Sequence, residues 1–446
     1  MGVSRRQFVM GAVTVTGALA LGVGVAAQGT RQGIGVAPPR IRGQYWGGDE
    51  RDAREINAWV VIEQDDSVTL RVSHAEMGQG ISTGLATLIA EELECDWSRV
   101  RVEFGSPNRN AREKVYDNMM TVGSRGIRAT WNFAQQAGAS ARERLVAAAA
   151  KRWNVAPDSC SASGSRVTHV PTGRRLRYGE LVTEAAATQL ATEPALRTPQ
   201  QFKLAGKSLP RVDSRLKVNG EAQFGIDTQL PGMVHAAIAF CPVIGGKLVS
   251  VDEAAIRGRR GVLQVVKLPN AVAVVADSFW RANEALKLLK PAMRWDVGEA
   301  ATVQQPELDR TYRAMLDGPM AVARNDGDAE AQLAGRSDVI EAVYEVPHLA
   351  HAMMEPLNAT VHLRNDRLDA WLGTQASDIY VGLAAKATGL KPEQVFVHNC
   401  YIGGGFGRRY MADDLLSAIE IAKAVGDRPV KLVWTRETDM QAARYR

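Results

Sequence analysis

The residues most able to do chemistry lie in two glycine-rich loops. One is EMGQGISTG, residues 76–84, and the other is YIGGGFGRRY, residues 401–410. Each loop lies between a predicted strand and a predicted helix, where glycines allow close approach to a ligand and the helix dipole favours an anion. Neither loop has the spacing of a Walker loop or of a dinucleotide fingerprint. Two such loops in separate segments predict one elongated anionic ligand that is bound from two sides.

Both loops also have a plainer interpretation. The first, in which Gly78, Gln79 and Gly80 would contact the ligand, is equally well explained as a tight turn with a Ser/Thr helix cap. The arginine pair of the second loop could bind phosphate or only solvate the start of a helix. A third turn, TVGSRGIRAT at residues 121–130, also precedes a predicted helix. Taken alone, this turn is weak evidence for a ligand-binding site.

A metal site is suggested by the spacing His348-x-x-His351-x-x-x-Glu355. Prolines on either side interrupt the helix that such ligation would need, so we do not predict a metal site here. We expect instead that Met353 and Met354 form an apolar wall. Glu355 should be bound internally, by backbone N–H groups or by an arginine.

The sequence around the loops predicts an α+β fold with several domains, since 446 residues exceed one ordinary core. Its periodicity predicts a hairpin over Ala58–Ser73, a helix that begins at Leu85 and another that begins near Met411. From about Gly206 a smaller module of alternating strands and helices is expected. The predicted divisions are a signal at 1–27, an N-terminal segment at 28–205, this module at 206–300 and a last domain at 301–446.

The last domain should contain strands at VIEAVYEVP and at PVKLVWTRETD, the second close to the final residue of the sequence. No terminal helix or polar tail follows, so this domain is expected to be incomplete at its C-terminus. Four tryptophans in apolar patterns are expected in the core, namely Trp280, Trp295, Trp371 and Trp434.

Composition excludes some classes of function. A net charge of +5, from 54 basic and 49 acidic residues without a basic run, argues against nucleic-acid binding. The four cysteines, Cys95, Cys160, Cys241 and Cys400, lie far apart and form no C-x-x-C motif. We therefore expect no cysteine-ligated iron–sulfur cluster and no structural zinc in this chain.

The N-terminal residues predict export. SRRQFVM, residues 4–10, places an arginine pair before a phenylalanine and a weakly apolar run, which is typical of a twin-arginine signal. Small residues favour cleavage after Ala27. The alternative is a membrane anchor, because the apolar run is long enough to span a bilayer, although its glycines and threonines make it a poor membrane helix. The expected location is periplasmic, and an uncleaved signal could still attach the protein to a membrane.

Seven stretches together resemble one known family: EMGQGISTGLATLIAEEL, GEAQFGIDTQLPGMVHAAIAF, VAVVADSFWRANEAL, AHAMMEPLNATV, WLGTQ, GGGFGRR and PVKLVWTRETD. The sequence is similar to the molybdopterin-binding large subunits of the xanthine oxidase/aldehyde oxidase family. Within it, the order of these stretches resembles the exported branch of isoquinoline 1-oxidoreductase beta subunits and membrane-bound aldehyde dehydrogenase large subunits. The resemblance covers nearly the whole chain and implies an α/β hammerhead domain at 206–300.

The resemblance also implies a cofactor, molybdopterin with molybdenum, in the cytosine dinucleotide form. Carried onto this sequence, its binding residues are Gly78, Gln79, Gly80, Ser124, Gly403, Gly404, Gly405, Phe406, Gly407 and Arg408. Ser124 departs from the pattern, because the family more often has Gly-Gly-Ser where this chain has Val122, Gly123 and Ser124. The family provides no metal ligand among these residues.

The implied reaction is hydroxylation of an aldehyde or an N-heteroaromatic compound, with water as the source of oxygen. The family's base is a glutamate in a later C-terminal segment, which this sequence does not include, so no catalytic residue is assigned. The chain is then interpreted as a molybdopterin subunit that is truncated or completed by another polypeptide. The alternative is a non-catalytic binding or scaffold subunit.

The implied reaction requires a partner that accepts electrons. Each turnover would deliver two electrons to molybdenum, and the isolated cysteines offer no centre that could carry them onward. A small iron–sulfur subunit is therefore expected. The resemblance adds a cytochrome c subunit and membrane association through a partner.

Replacing Arg5 and Arg6 with lysine should keep the protein in the cytoplasm, because the arginine pair is the export determinant of this class of signal. Cell fractionation and immunoblotting measure the exported share. Lysine at Arg40 and Arg42, outside the predicted signal, is the control and should leave export unchanged. Full periplasmic yield of the first variant would contradict the interpretation.

Overall fold

A computed structural model describes residues 45–324 and 326–445. The predicted export signal and its cleavage position lie outside these residues. In the described part, no helix is both long and apolar enough to cross a membrane.

The N-terminal part is a five-stranded sheet covered by helices. Its strands are β1 (Trp46–Gly47), β2 (Glu55–Asn57), β3 (Val60–Ile62), β4 (Val68–Val72) and β5 (Val100–Gly105). They lie in the order β1-β5-β4-β3-β2, with β3 and β4 antiparallel and β4 and β5 parallel. The hairpin expected over Ala58–Ser73 is confirmed.

Three helices follow the strands of this sheet: α1 (Ile81–Leu93), α2 (Pro107–Glu113) and α3 (Gly126–Trp153). Helix α1 begins four residues before the expected Leu85, because the glycine turn ends directly at the helix. Helix α3 is one continuous helix of 28 residues, with alanines on its buried face. At Gly138 the backbones of α1 and α3 approach so closely that an added Cβ would lie 2.2 Å from the carbonyl oxygen of Ile89.

A small sheet follows α3 and leads into a helix. It contains β6 (Cys160–Ser163), β7 (Arg166–His169) and β8 (Arg175–Arg177), in that order, before α4 (Tyr178–Ala187). The short helix α5 (Ser214–Val218) comes next.

A seven-stranded sheet organises the rest of the described chain. The remaining strands are β9 (Val234–Phe240), β10 (Lys247–Val251), β11 (Val262–Leu268), β12 (Ala271–Ala276), β13 (Met293–Asp296), β14 (Asn358–Leu363), β15 (Leu368–Leu372), β16 (Val395–Asn399) and β17 (Val430–Val433). The large sheet has the order β11-β12-β9-β17-β14-β15-β16, while β10 and β13 pair separately. Three strands from 206–300 thus share one sheet with four strands from 301–446. The proposed division at residue 300 stays a prediction.

The later helices are α6 (Phe279–Leu289), α7 (Gln305–Leu316), α8 (Ala329–Leu333), α9 (Ser377–Thr388), α10 (Asp413–Val425) and α11 (Arg436–Gln441). The final strand is shorter than expected, because Thr435 caps a helix over the residues TRETD by accepting a hydrogen bond from the Thr438 N–H. The expected strand at VIEAVYEVP is absent. A strand needs a neighbour for its hydrogen bonds, and in the described chain none lies beside this segment.

One of the four tryptophans expected in the core lies at the surface. Trp280 is 70% exposed, whereas Trp434 is buried and Trp295 and Trp371 are partly buried. Helix α6 buries Ala282, Ala285, Leu286 and Leu289 along one stripe, and Trp280 lies outside that stripe.

Replacing Gly138 with alanine should lower the free energy of unfolding by about 1–3 kcal/mol, because the new Cβ overlaps the backbone of α1. Urea unfolding measures the change. The matched control is Gly382→Ala in helix α9, where nothing lies within 4 Å of an added Cβ. This control should stabilise the protein by roughly 0.5–1 kcal/mol through helix propensity. Equal effects of the two variants would contradict the close packing.

Candidate functional site

The two glycine loops lie against each other. The backbone N–H of Ile402 donates to the carbonyl oxygen of Glu76 at 3.0 Å. A Cβ added to Gly405 would lie 2.8 Å from the Met77 sulfur. We call the segment Glu76–Gly80 the GQG loop and the segment Gly403–Gly407 the GGGFG loop. These contacts show that two segments far apart in the sequence meet in the fold.

Gln375 joins this site to the third turn. Its side-chain amide donates to the carbonyl oxygen of Thr121 at 2.8 Å and accepts from the backbone N–H of Gly407 at 3.0 Å. The Thr121 hydroxyl in turn accepts from the Ala75 N–H at 2.9 Å. Gln375 was not among the site residues predicted from the sequence. The available signal was its position in WLGTQ, between strand β15 and helix α9.

Glu76 is the internal anion of the GQG loop. Its buried carboxylate accepts hydrogen bonds from the N–H groups of Gly78 at 2.8 Å, Gly80 at 3.1 Å and Ser82 at 3.1 Å. These three N–H groups therefore face a carboxylate of the chain itself. A glutamate of the chain already satisfies the start of α1, as a capping side chain does.

Two cations balance this carboxylate. Arg211 donates to Glu76 Oε1 at 3.0 Å, and Lys217 Nζ lies 3.7 Å from the same atom. Both residues also pair with Asp213, whose pKa falls to about 2 because these ion pairs outweigh its burial. Sequence reasoning missed all three residues, since nothing in their local pattern indicates the contact.

The outer surface of the GQG loop is open. Gly78 and Gln79 are exposed, and Gly78 has a φ of 104° with nothing within 4 Å of an added Cβ. The Gln79 amide is already used inside the loop, because it accepts from Met77 N–H and donates to Ala75 O. Contact of Gly78, Gln79 and Gly80 with a cofactor stays a prediction that fits this accessible backbone.

The GGGFG loop is tightly folded. Gly404 and Gly407 have φ values of 96° and 92°, which favour glycine, and Phe406 adopts 52°. At Gly405 an added Cβ would lie 2.6 Å from Gln375 Oε1. The loop therefore has no space for a larger residue at Gly405, while the Phe406 ring remains 58% exposed.

Glu355 confirms the expectation of an internally bound carboxylate. It accepts from the N–H groups of Gly403 at 2.8 Å and Ile226 at 3.1 Å and from the Asn358 amide at 2.9 Å, and it pairs with Arg409 at 3.1 Å. These bonds hold the start of the GGGFG loop.

The neighbouring segment differs in part from the expectation. Met353 is buried as predicted, whereas Met354 is 90% exposed and forms no wall. Across residues 45–324 and 326–445, no group of three His, Cys, Asp or Glu side chains could hold a metal ion.

The two arginines after the loop are both buried, so they do not merely solvate a helix end. Arg409 donates to the carbonyl oxygens of Gly404 at 3.1 Å and Glu355 at 2.7 Å, which makes it a structural brace. Arg408 pairs with Asp413 at 2.9 Å and lies over the Trp434 ring at 5.5 Å. A short turn over Arg408–Tyr410 precedes helix α10, which begins at Asp413 rather than near Met411.

The start of helix α3 lies beside the start of α1. Gly126 packs against Ile81 and His74, which places the first turn of α3 beside that of α1. No side chain of the described residues caps α3, and its first turn contains no acidic residue. Ser124 is exposed just before it, with a φ of 53°. The uncapped N–H groups and the helix dipole favour an anion here.

Asp414 is a buried acid behind the arginine pair. Burial raises the pKa of its carboxyl from 3.8 to about 7. The charges of Arg409 and Arg408 lower this pKa, whereas the charge of Asp413 raises it further. Burial, and then the charge of Asp414, raise the pKa of Tyr380. Asp414 Oδ1 accepts from the Leu415 N–H at 2.9 Å, while Oδ2 has no hydrogen-bond partner in the described structure.

Comparison with known families gives two matches to one type of domain. Residues 18–225 and residues 316–446 each match a model described as a molybdopterin cofactor-binding domain. The GQG loop and Ser124 lie in the first match, and the GGGFG loop lies in the second.

Three curated proteins illustrate the similarity. The chain is 31% identical to the beta subunit of an isoquinoline 1-oxidoreductase of Brevundimonas diminuta, over 99% of this chain and 60% of that protein. It is 28% identical to a membrane-bound aldehyde dehydrogenase of Gluconacetobacter polyoxogenes, over 88% of this chain and 52% of that protein. It is 26% identical to a subunit of the nicotinate dehydrogenase of Pseudomonas putida, over 86% of this chain and 32% of that protein. The chain thus spans only part of the length of these relatives.

Asp414 gives the site a measurable pH dependence. Between about pH 4 and pH 7 the folded protein retains a proton that Asp414 loses on unfolding, so the free energy of unfolding should fall as the pH rises through this range. In Asp414→Asn, which keeps a neutral side chain of similar shape, the fall should be smaller. Urea unfolding at several pH values measures it. The control is Asp158→Asn at an exposed position. Identical pH dependence of wild type and Asp414→Asn would contradict the assignment.

Proposed function

Because this chain belongs to the molybdopterin-binding subunits of the xanthine oxidase family, we propose that it binds the molybdenum cofactor of an exported hydroxylase or dehydrogenase. The proposed substrates are aldehydes or N-heteroaromatic compounds, with water as the source of oxygen. Relatives named for isoquinoline, aldehyde and nicotinate support both substrate classes.

The contact between the two glycine loops carries this proposal. Each loop lies in a different one of the two matched cofactor-binding segments. The hydrogen bond from Ile402 to Glu76 and the bridge through Gln375 join the segments at one place. A cofactor that needs both segments would therefore meet both loops at this contact.

The residues present fit an anionic pterin cofactor. The exposed backbone of Gly78 allows close approach, and the uncapped start of α3 beside Ser124 attracts a phosphate. Gly403, Gly404, Gly405, Phe406 and Gly407 would line the opposite side, with Arg408 behind them. When bound, the molybdenum centre would supply Lewis acidity and redox capacity. The cytosine dinucleotide form is part of the proposal and would extend the negative charge of the ligand.

The roles of the chain's own charged residues follow from their contacts. Glu76 and Glu355 shape the two loops, since each carboxylate is occupied by backbone N–H groups and by cations. Glu355 is therefore not a free general base. Arg409 braces the turn, and Gln375 fixes the spacing between the loops. We assign no catalytic residue.

An electron-accepting partner is also proposed. The four cysteines are unpaired, and burial raises the pKa of the Cys95 thiol to about 12 and also raises the pKa of Cys400, so neither is poised to act as a thiolate ligand. Two relatives are named as subunits, which supports assembly with other chains. We propose that the partner is a small iron–sulfur subunit, which passes electrons to a cytochrome c subunit. The proposed location is periplasmic, with membrane association through a partner or an uncleaved signal.

Replacing Gly405 with valine should abolish molybdenum content, because the side chain would displace Gln375 and Met77 and separate the loops. Elemental analysis of the purified protein measures the metal, and circular dichroism checks the fold. Gly318→Val is the control, since an added Cβ there has only ordinary contacts. Wild-type molybdenum occupancy in Gly405→Val would overturn the proposed site.

The full-length protein, purified without partners, should contain no acid-labile sulfide and should reduce cytochrome c only after an iron–sulfur subunit is added. Sulfide analysis and stopped-flow reduction assays test the two statements. Stoichiometric iron and sulfide in the isolated chain would refute the need for this partner.

A further inference from the structure

A positively charged cleft lies on α6, away from the loops. Its volume is about 390 Å³, and its lining consists of Arg259, Arg260, Val262, Trp280, Arg281 and Glu284. Three arginines face one glutamate in this set. We call it the arginine cleft.

The arginine cleft is built by a defined turn. Gly258 and Gly261 have φ values of 72° and 79° and lie on either side of the arginine pair. The turn is fixed by hydrogen bonds from Val262 N–H to Arg259 O at 3.2 Å and from Asp277 N–H to Gly261 O at 2.9 Å. An added Cβ at Gly261 would lie 2.6 Å from Asp277 Oδ1, so the turn packs closely on the start of α6.

The free charge of the cleft belongs to Arg259 and Arg260. Both are exposed, and neither pairs with a carboxylate within residues 45–324 and 326–445. Arg281, by contrast, is paired with Asp277, and Glu284 is paired with Lys287 at 2.7 Å. Two unneutralised guanidinium groups therefore stand beside an exposed indole, that of Trp280.

This combination favours one kind of ligand. Exposed Trp and Arg side chains dominate the binding energy of protein interfaces, and guanidinium groups pair with carboxylates in a fixed geometry. Small-molecule sites bury most of their ligand, whereas the Trp280 side chain is 70% exposed here.

The neighbouring strand supports a polypeptide ligand. Strand β11 begins at Val262, in the cleft, and is an edge strand of the seven-stranded sheet. An edge strand offers unpaired backbone groups to an extended segment. Leu263, next to the cleft, is 50% exposed.

We propose that the arginine cleft is a docking site for an acidic segment of another polypeptide. Carboxylates of that segment pair with Arg259 and Arg260, and an apolar side chain covers Trp280. The site is separate from the glycine loops, so this proposal does not depend on the proposed function.

The test uses the full chain and a short glutamate-rich peptide that carries one phenylalanine and a fluorescent label. Fluorescence anisotropy at low salt should show saturable binding that weakens as salt is added. Charge reversal of Arg259 and Arg260 to glutamate, and separately Trp280→Ala, should each weaken binding at least tenfold. A lysine-rich peptide of the same length should not bind.

The matched control is Arg257→Glu, because Arg257 is exposed in the same segment but lies outside the cleft lining. This variant should bind within twofold of wild type. Absence of saturable binding, equal weakening by Arg257→Glu, or full competition by an equal concentration of inorganic phosphate would overturn the proposal. Circular dichroism confirms that each variant is folded.

Discussion

Each glycine loop is folded around a buried carboxylate of its own chain. A buried charge is costly unless it is paired and hydrogen-bonded. Glu76 satisfies this condition with three loop N–H groups and two cations, and Glu355 satisfies it with two N–H groups, an amide and Arg409. The conformations of both loops, and therefore the surface that they present, depend on these two internal anions.

This arrangement explains why the site could be predicted only in part. Glycines between a strand and a helix have a local signature, so both loops and the strands before them were predictable from the sequence. The partners of Glu76 lie at Arg211 and Lys217, and Gln375 reaches Thr121, at separations that no local pattern records. The internal position of Glu355 was predictable because prolines excluded a helical metal site.

In the fold, too, elements with a local sequence pattern were predictable, whereas contacts between distant segments were not. Hairpins and amphipathic helices followed from periodicity, as in the strands around Gln64–Ser67 and in helix α1. The seven-stranded sheet did not, because β9 pairs in parallel with β17 across almost half of the chain. Trp280 was wrongly expected in the core because its neighbours in the sequence are apolar. An apolar residue in the first turn of a helix need not lie on the buried stripe of that helix.

The bond between Ile402 and Glu76 also sets an order of events during biosynthesis. It joins the segment after β4 to a turn that follows β16, so it can close only after the chain has been made as far as Ile402. Contacts of such long sequence separation form late, since their loop-closure entropy must be offset first. The GQG loop and α1 are translated early, whereas the GGGFG loop is translated much later. A ligand that requires both loops therefore has no complete binding surface on the nascent polypeptide and must enter after translation of the second loop.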